Sequence, residues 1–386
     1  MKIDSPDSVA LAEGAAAKTA AYVHIPFCRK VCPYCDFAVV AGTELADRYV
    51  AALIDEIESA DPFSAPLASV AFGGGTPTSI GAESLRSVLD AVESRFGFDP
   101  EVEVSLEANP EDLSPAAVLA LRDAGFGRIS LGVQSFDDSV LASLGRTHSA
   151  AQAIEATGVS RDAFDSISVD LMFGTPGEDL ESWRSSVAQA LELEVDHLST
   201  YSLTVERGTP LSREVTAGAP APDPDLQADE WLMAVEMAQD AGLVRYETSN
   251  HARPGHAVVY NLVTWGHGEY AAFGNGAHRH RDGMRSWNTR RLDRYIERIE
   301  SRQSPVSGEE RLGAWESEVE RVLLGLRRAA GVLTGAAGER LLQSEPGSAV
   351  VDAGILEMAG DRLRIARPLM GDEVSRALLA LSPGDC

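Results

Sequence analysis

Cysteine spacing is the feature of this sequence that most directly suggests chemistry. Cys28, Cys32 and Cys35 form a C-x3-C-x2-C pattern within YVHIPFCRKVCPYCDFAVV. In a reducing compartment such a triplet is more typical of a metal or catalytic site than of disulfides. Structural zinc takes four ligands, and only His24 or the C-terminal Cys386, which we treat as incidental, could add one. A 4Fe-4S cluster with one iron open to an external ligand explains three cysteines directly, and we favour it over zinc.

Glycine and polar residues at the ends of predicted strands are the second set of candidates. Each also has a structural explanation: GGGTP could be a simple tight turn, His24 a buried core histidine, and Arg146 or Asp170 a member of an ordinary salt bridge. Their common position carries more weight, because active sites of parallel α/β folds lie at the C-terminal ends of strands. The set comprises GGGTPT (73–78), Glu107, Asn109, Gln134, Ser135, Asp170 and Tyr201.

Short β-branched segments alternate with amphipathic ones through the first half of the chain. This alternation predicts a parallel sheet with helical crossovers, open or curved into an incomplete barrel. Ser114 and Pro115 have the types expected at a helix N-cap and first helical position. The predicted strands are residues 20–25, 67–73, 102–108, 127–134, 166–174 and 195–205.

The composition limits the function classes. Asp and Glu number 59 against 33 Lys and Arg, a net charge of −26, which argues against nucleic acid as a partner. No apolar run reaches the roughly 18–20 residues of a membrane span, and the N-terminus lacks a signal-peptide pattern. These features predict a cytoplasmic protein without a membrane span.

Three regions are predicted from changes in composition. Residues 1–19 are expected to be disordered, and residues 20–288 to form the main α/β domain. Residues 289–386 are expected to form a small helical, winged-helix-like domain, in which GILEMAGDRLRIA reads as strand, turn and strand.

A series of motifs resembles the radical S-adenosylmethionine (SAM) proteins related to oxygen-independent coproporphyrinogen III oxidase, and within them the haem chaperone branch. The resemblance runs in order from about Tyr22 to His278. It is carried by the cysteine triplet with YVHIPFC, FGGGTPT, SLEANPEDL, RISLGVQSFDDSVLASLGRTH, VDLMFGTPGED, HLSTYSLTVERGTP and YETSN.

The resemblance implies a three-quarter parallel β/α barrel with a 4Fe-4S cluster on Cys28, Cys32 and Cys35. S-adenosylmethionine would chelate the open iron. By motif position, the residues around S-adenosylmethionine would be Tyr22, Tyr34, Gly74, Gly75, Thr76, Glu107, Gln134, Arg146 and Asp170.

Two departures from family patterns bear on function. Phe37 stands where the oxidases carry a fourth cysteine, which implies that this chain is not a coproporphyrinogen oxidase. The chaperone branch carries a His-Asn pair followed by Tyr-Trp, whereas this chain reads YNLVTW, with Tyr260 in the place of the histidine implicated in holding haem. Tyr260, His251 and His256 are therefore the candidate haem ligands.

Three functions remain open at this point. The leading interpretation is a haem chaperone-like radical SAM protein that delivers haem, with membrane-bound haem enzymes as recipients. The second is a coproporphyrinogen III dehydrogenase or another radical SAM enzyme. The third is a zinc-stabilised binding module without a redox role.

Overall fold

The computed structural model describes Gly14 and residues 17–382. Cys386 and most of the segment predicted to be disordered, residues 1–19, lie outside the described residues. Within that segment, Thr19 already belongs to the first strand.

The strands alternate with helices over most of the chain. The strands are β1 (Thr19–Ile25), β2 (Phe27–Cys28), β3 (Val40–Ala41), β4 (Leu67–Gly74), β5 (Phe98–Ala108), β6 (Arg128–Gln134), β7 (Ser166–Phe173), β8 (His197–Ser202), β9 (Val244–Arg245), β10 (Asn250–Ala252), β11 (Tyr270–Phe273), β12 (His278–Arg281), β13 (Met284–Asn288), β14 (Val306–Arg311), β15 (Val332–Leu333), β16 (Leu356–Ala359) and β17 (Arg362–Ile365). The helices are α1 (Ala46–Ser59), α2 (Ala82–Phe96), α3 (Pro115–Asp123), α4 (Asp138–Ser143), α5 (Ala150–Arg161), α6 (Leu180–Glu192), α7 (Pro210–Thr216), α8 (Pro224–Asp240), α9 (Val259–Trp265), α10 (Leu292–Glu300), α11 (Ala314–Gly325), α12 (Gly335–Gln343), α13 (Glu345–Asp352) and α14 (Gly371–Leu379).

The main sheet has a parallel centre. Strands β11, β1, β4, β5, β6, β7 and β8 lie side by side in that order, and each neighbouring pair is parallel. The predicted parallel sheet is therefore confirmed for β1 and β4 to β8, while β11 was not predicted. Because these strands run in the same direction, the residues at their C-terminal ends share one edge.

Local sequence explains how the crossover helices form and dock. The Ser114 side chain accepts a hydrogen bond from the Ala117 N–H at 3.2 Å, and Pro115 follows at the first helical position, as predicted. Trp183 of α6 is fully buried, packs against Phe173 with ring centroids 5.5 Å apart, and donates to the Glu230 carbonyl at 2.7 Å. Apolar burial and paired polar groups thus hold the helices against the sheet.

Antiparallel strands extend both sides of the parallel centre. β10 and β9 continue beyond β8, and β12, β13 and β14 continue beyond β11. β9 and β14 are the two edges of the sheet and do not pair with each other. The sheet is therefore open, as expected for an incomplete barrel.

Residues 289–311 pack with the main sheet, although the sequence assigned them to the C-terminal domain. β14 pairs with β13, and Leu292, Tyr295 and Ile296 of α10 join the main hydrophobic core. The Tyr295 hydroxyl donates to the buried Glu56 carboxylate at 2.7 Å. From these contacts we propose a boundary near Gly313 as an alternative to Thr289, which stays a prediction.

A second hydrophobic core lies in the C-terminal region. It contains residues of α11, α12, α13 and α14, together with β16 and β17. β15, β17 and β16 form a separate three-stranded antiparallel sheet, in which β16 and β17 are the predicted strand-turn-strand. Helices with a small sheet are the arrangement expected of a winged-helix-like region.

Candidate functional site

The cysteine loop starts directly after β1. The short parallel pair β2 and β3 closes it, with Phe27 opposite Val40 and Cys28 opposite Ala41. Within it the Cys35 N–H donates to the Cys32 carbonyl at 3.2 Å. All three thiols, those of Cys28, Cys32 and Cys35, are free and partly exposed. The loop therefore presents the three predicted ligands together at the C-terminal edge of the sheet.

A hydrogen-bonded arc connects two of these cysteines through other loops. The Thr76 hydroxyl donates to Cys28 Sγ at 3.8 Å, and Asn109 Nδ2 donates to Thr76 Oγ1 at 2.9 Å. Arg146 donates from Nη2 to Asn109 Oδ1 at 2.6 Å and from Nη1 to Cys32 Sγ at 3.6 Å. Sequence reasoning noted Asn109 only as a strand-closing residue, but this side chain joins the two groups that donate to sulfur.

The chemistry of this loop suits an iron-sulfur cluster. Burial raises the pKa of the Cys28 thiol to about 11 and also raises the pKa of Cys35. A metal group that replaces these protons converts the thiols to thiolates, which the Thr76 and Arg146 donors then stabilise. Three thiols with donors aimed at two of them fit a 4Fe-4S cluster. Among the described residues, no group of three or more His, Cys, Asp or Glu side chains is placed to hold a single metal ion.

The glycine-rich turn after β4 packs tightly against the start of the cysteine loop. The Gly74 N–H donates to Glu107 Oε2 at 3.1 Å, and the Gly75 N–H donates to the Ile25 carbonyl at 2.8 Å. A Cβ on Gly75 would lie 2.8 Å from the Phe27 carbonyl oxygen. Glycine is therefore needed here for close backbone packing, and both N–H groups already have partners within the protein.

Two carboxylates face the interior beside this turn. Glu107 is the second-last residue of β5 and is exposed to the open interior, yet surrounding protein raises its pKa to about 7, with a further contribution from the charge of Asp170. Asp170 of β7 accepts from the Ser130 hydroxyl at 2.9 Å, and burial raises its pKa. Neither carboxylate has an Arg or Lys partner among the ion pairs of the described residues, so both can accept from an ammonium or ribose hydroxyl.

Aromatic rings line the interior on the β1 side. The ring of Tyr22 stacks on that of Tyr260 with centroids 5.8 Å apart, and Tyr270 meets Tyr260 edge-on at 5.9 Å. Tyr34, which lies within the cysteine loop, packs with Val140, Leu144 and Leu203. Such rings give a ligand apolar faces between polar groups.

Gln134 and His24 differ in character. Gln134 has a left-handed φ of 68° at the end of β6, where the register with β7 shifts. A non-glycine residue with left-handed backbone angles destabilises the fold by about 1 kcal/mol or more, and such residues are common at functional sites.

His24 is buried, its Nε2 lies 3.1 Å from the Ala38 carbonyl, and burial lowers its pKa to about 4. It is a neutral core histidine, which was the structural alternative for this residue.

The three candidate haem ligands are not together. Tyr260 lies against Tyr22 in the interior. His256 Nδ1 lies 3.0 Å from the Ser166 hydroxyl at the N-terminal start of β7, the end opposite the cysteine loop. His251 of β10 is completely buried. Only Tyr260 is therefore near the other site residues.

Comparison with known proteins shows the family of this chain. Residues 22–190 match the Radical SAM superfamily. The haem chaperone HemW of Mycobacterium tuberculosis strain H37Rv is 39% identical over 368 residues, covering 93% of this chain and 94% of the relative. This chain belongs to the HemW family of radical SAM proteins. HemW of Bacillus subtilis strain 168 is 35% identical over 318 residues, covering 81% of this chain and 84% of the relative.

The fold of this HemW family member also resembles that of a solved radical SAM enzyme. Coproporphyrinogen III oxidase (HemN) from Escherichia coli superposes with a TM-score of 0.80 at 20% identity, covering 96% of this chain and 92% of HemN. This likeness confirms the radical SAM fold. Separately, none of the helices in the described part of the chain is long and apolar enough to cross a membrane.

Proposed function

We propose that this chain is a radical SAM haem chaperone that holds a 4Fe-4S cluster on Cys28, Cys32 and Cys35 and binds S-adenosylmethionine beside Glu107 and Asp170. The observation that carries the proposal is the arc from Cys28 through Thr76, Asn109 and Arg146 to Cys32, which lies next to two interior carboxylates. A bound cluster of this kind supplies one-electron reduction of a sulfonium cofactor.

The chain's own residues have distinct tasks in this proposal. Arg146 and Thr76 stabilise thiolate charge, while Arg146 also offers a cation for the cofactor carboxylate. Glu107 and Asp170 accept from the ammonium and ribose hydroxyls, and Tyr22 and Tyr34 contact the apolar parts of the cofactor. Gly74 and Gly75 keep the turn close enough to the cysteine loop for these contacts to form together.

Haem is the proposed cargo because the relatives are haem chaperones. Tyr260 is the proposed ligand, since tyrosine can bind ferric haem and this side chain alone of the three candidates borders the interior. Burial raises the pKa of Tyr260, so ligation requires the iron to displace the phenol proton. Delivery to membrane-bound haem enzymes from the cytoplasm completes the proposal.

Phe37 supports a chaperone rather than an oxidase. It stands at the oxidase cysteine position and exposes 69% of its surface beside the cysteine loop. A phenyl group cannot supply the thiol that the oxidases have at this position. Assay of coproporphyrinogen III with reduced, reconstituted protein tests the alternative, and decarboxylated product formed on catalytic turnover would contradict the chaperone proposal.

Anaerobic reconstitution tests the cluster and haem sites. We expect a broad brown absorption with four irons per chain, which Cys32→Ala abolishes and Cys386→Ala leaves intact. Stoichiometric zinc without iron would favour the binding-module alternative.

Haem titration should give a saturable Soret band that Tyr260→Phe shifts and His256→Ala does not. Unsaturable haem uptake, equal in all variants, would contradict a chaperone role.

A further inference from the structure

A row of buried polar side chains leads from Asp170 into the protein. Ser168, His197 and Tyr246 each expose 7% or less of their surface. Ser168 Oγ lies 3.4 Å from Asp170 Oδ1 and 2.7 Å from His197 Nδ1. On the other face of the imidazole, His197 Nε2 lies 2.9 Å from the Tyr246 hydroxyl. The ring therefore bridges β7, which carries Asp170, and the Tyr246 side chain.

The opposite end of the row meets helix α9. The Tyr246 hydroxyl oxygen accepts from the backbone N–H of Val258, the N-cap of α9, at 3.4 Å. It also accepts from Nδ2 of Asn261 at 3.4 Å. Asn261 follows Tyr260, whose ring borders the interior. The row thus connects the Asp170 carboxylate to the helix that carries the proposed haem ligand.

Donor and acceptor rules give the row a single direction. The Val258 backbone N–H and the Asn261 Nδ2 group can only donate, so together they use both lone pairs of the Tyr246 oxygen, and its own hydrogen is left for His197 Nε2. The imidazole then carries its proton on Nδ1 and donates it to Ser168 Oγ. The Ser168 hydrogen is left for Asp170, which accepts when ionised.

Burial is consistent with this arrangement. Desolvation places the pKa of His197 well below its usual value, and the charge of Arg128 lowers it further. The imidazole is therefore neutral at pH 7, with one donor and one acceptor nitrogen, as the row requires. His197 and Tyr246 open the motifs HLSTYSLTVERGTP and YETSN, and Ser168 lies within β7, but the sequence analysis did not identify any of the three as a site residue.

We propose that Ser168, His197 and Tyr246 are positioning residues that hold Asp170 in its accepting orientation and couple it to helix α9. S-adenosylmethionine at Asp170 and haem beside Tyr260 would then change each other's affinity, because both depend on the same hydrogen-bonded row. This inference rests on the proposed function for the ligands at both ends. The polarity of the row does not depend on it.

The polarity is tested directly by nitrogen NMR of the imidazole rings. The full-length chain is labelled with ¹⁵N-histidine, and the His197 signals are identified by their loss in His197→Asn. We expect a neutral ring protonated on Nδ1, with Tyr246→Phe shifting the signal toward a mixture of tautomers. A His197 ring protonated on Nε2, or charged at pH 7, would contradict the proposed direction of the hydrogen bonds.

The positioning role is tested by calorimetry with S-adenosylmethionine on reconstituted protein. His197→Leu should weaken binding about fivefold to tenfold, the effect of losing one or two hydrogen bonds. His197→Asn keeps an N–H for Ser168 and should restore most of the affinity. Tyr246→Phe should give a smaller loss, about threefold. Wild-type affinity in both His197→Leu and Tyr246→Phe would refute the role, and Tyr246→Phe decides alone if His197→Leu does not fold.

A matched control separates positioning from general destabilisation. Tyr295→Phe removes another buried hydroxyl, one that bonds Glu56 away from this row. We expect unchanged S-adenosylmethionine affinity in Tyr295→Phe, and a loss equal to that of Tyr246→Phe would contradict the proposal.

Coupling is measured by repeating the titration with haem present. Haem should alter wild-type affinity for S-adenosylmethionine at least twofold, and Tyr246→Phe should abolish that change. A wild-type chain that binds both ligands independently would refute coupling. A wild-type chain that binds no S-adenosylmethionine would contradict the proposed function and the coupling, while the NMR result would still decide the polarity.

Discussion

At the scale of single residues, Asn109 joins the two side chains that donate to the cysteine sulfurs. It accepts from Arg146 and donates to Thr76, so it sets the positions of both groups that donate to sulfur. An amide can do this because it has an acceptor and donors on one planar group. A carboxylate in its place could not donate to Thr76, and an alanine would remove one hydrogen bond from each of Thr76 and Arg146.

Asn109→Ala should accelerate loss of the cluster. Outer-shell partners typically change metal affinity by about 10-fold to 100-fold, and we expect the rate of iron release to a chelator to rise by about tenfold. Asn288→Ala is the control, because Asn288 is a buried asparagine whose side chain is also hydrogen-bonded, to Glu56 at 2.7 Å, but has no contact with the cysteine sulfurs or their donors. Equal iron release by wild type and Asn109→Ala, or equally fast release by Asn288→Ala, would show that Asn109 has no specific effect.

Glu107 should make the stability of the cluster-free chain depend on pH. Its pKa is raised from the usual 4.5 to about 7 in the folded state. Between these values the folded state binds more protons than the unfolded state, so the contribution of Glu107 to stability falls as pH rises. Glu107→Gln should therefore raise the melting temperature at pH 8 and have little effect at pH 4.

Calorimetric scans of wild type and Glu107→Gln at the two pH values measure this difference. Glu58→Gln, a substitution at an exposed position of α1, is the control and should leave the melting temperature unchanged at both pH values. A Glu107→Gln variant that is less stable than wild type at pH 8 would mean that the Gly74 N–H bond outweighs the desolvation of the carboxylate.

At the scale of elements, the sheet edges decide where the main body ends. α10 buries Leu292, Tyr295 and Ile296 in the main core, and β14 covers the outer side of β13. Removing these elements would expose apolar surface and leave the buried Glu56 without its Tyr295 partner. Both effects are costly, because burial of apolar area and satisfied polar groups dominate folding stability.

Truncation distinguishes the two boundaries. A chain ending at Leu312 should keep a cooperative unfolding transition and bind the cluster, whereas a chain ending at Asn288 should be insoluble or molten. Near-UV circular dichroism and cluster content report the two outcomes. Comparable folding of both chains would return the boundary to the predicted Thr289.

At the scale of the whole molecule, charge is the dominant global property. A net charge of −26 produces self-repulsion in the compact state that salt screens. Exposed pairs such as Arg48 with Glu300, at 2.7 Å, add little to stability and weaken with salt. We therefore expect the global repulsion to outweigh the attraction within these exposed ion pairs.

The melting temperature should rise by a few degrees between about 10 mM and 300 mM sodium chloride. The Debye length shrinks from about 30 Å to below 10 Å over this range, so salt screens the repulsion between the acidic side chains. The same titration with Arg48→Ala is the control for local pairing and should give a similar rise. A melting temperature that falls with salt would show that ion pairs outweigh global repulsion.

Sequence alone determined the features that depend on neighbouring residues in the chain. The spacing of Cys28, Cys32 and Cys35, the alternation of β1 and β4 to β8 with helices, and the Ser114 cap are all readable because side-chain periodicity and ligand spacing are local. The order of motifs was also enough to indicate the radical SAM family. Because the strands are parallel, their C-terminal ends lie at one edge of the sheet, and the site is expected there however the helices pack.

Only the tertiary structure decided which distant groups meet. Asn109 contacts Thr76 and Arg146, His197 lies between Ser168 and Tyr246, and Tyr260 faces Tyr22 while His256 lies at the opposite end of β7. β11 and β14 likewise form strands by pairing with β1 and β13, whose paired residues are more than fifteen positions away in the chain. Such contacts depend on how whole elements pack and on which buried polar atoms then need a partner, and no local pattern in the chain encodes either.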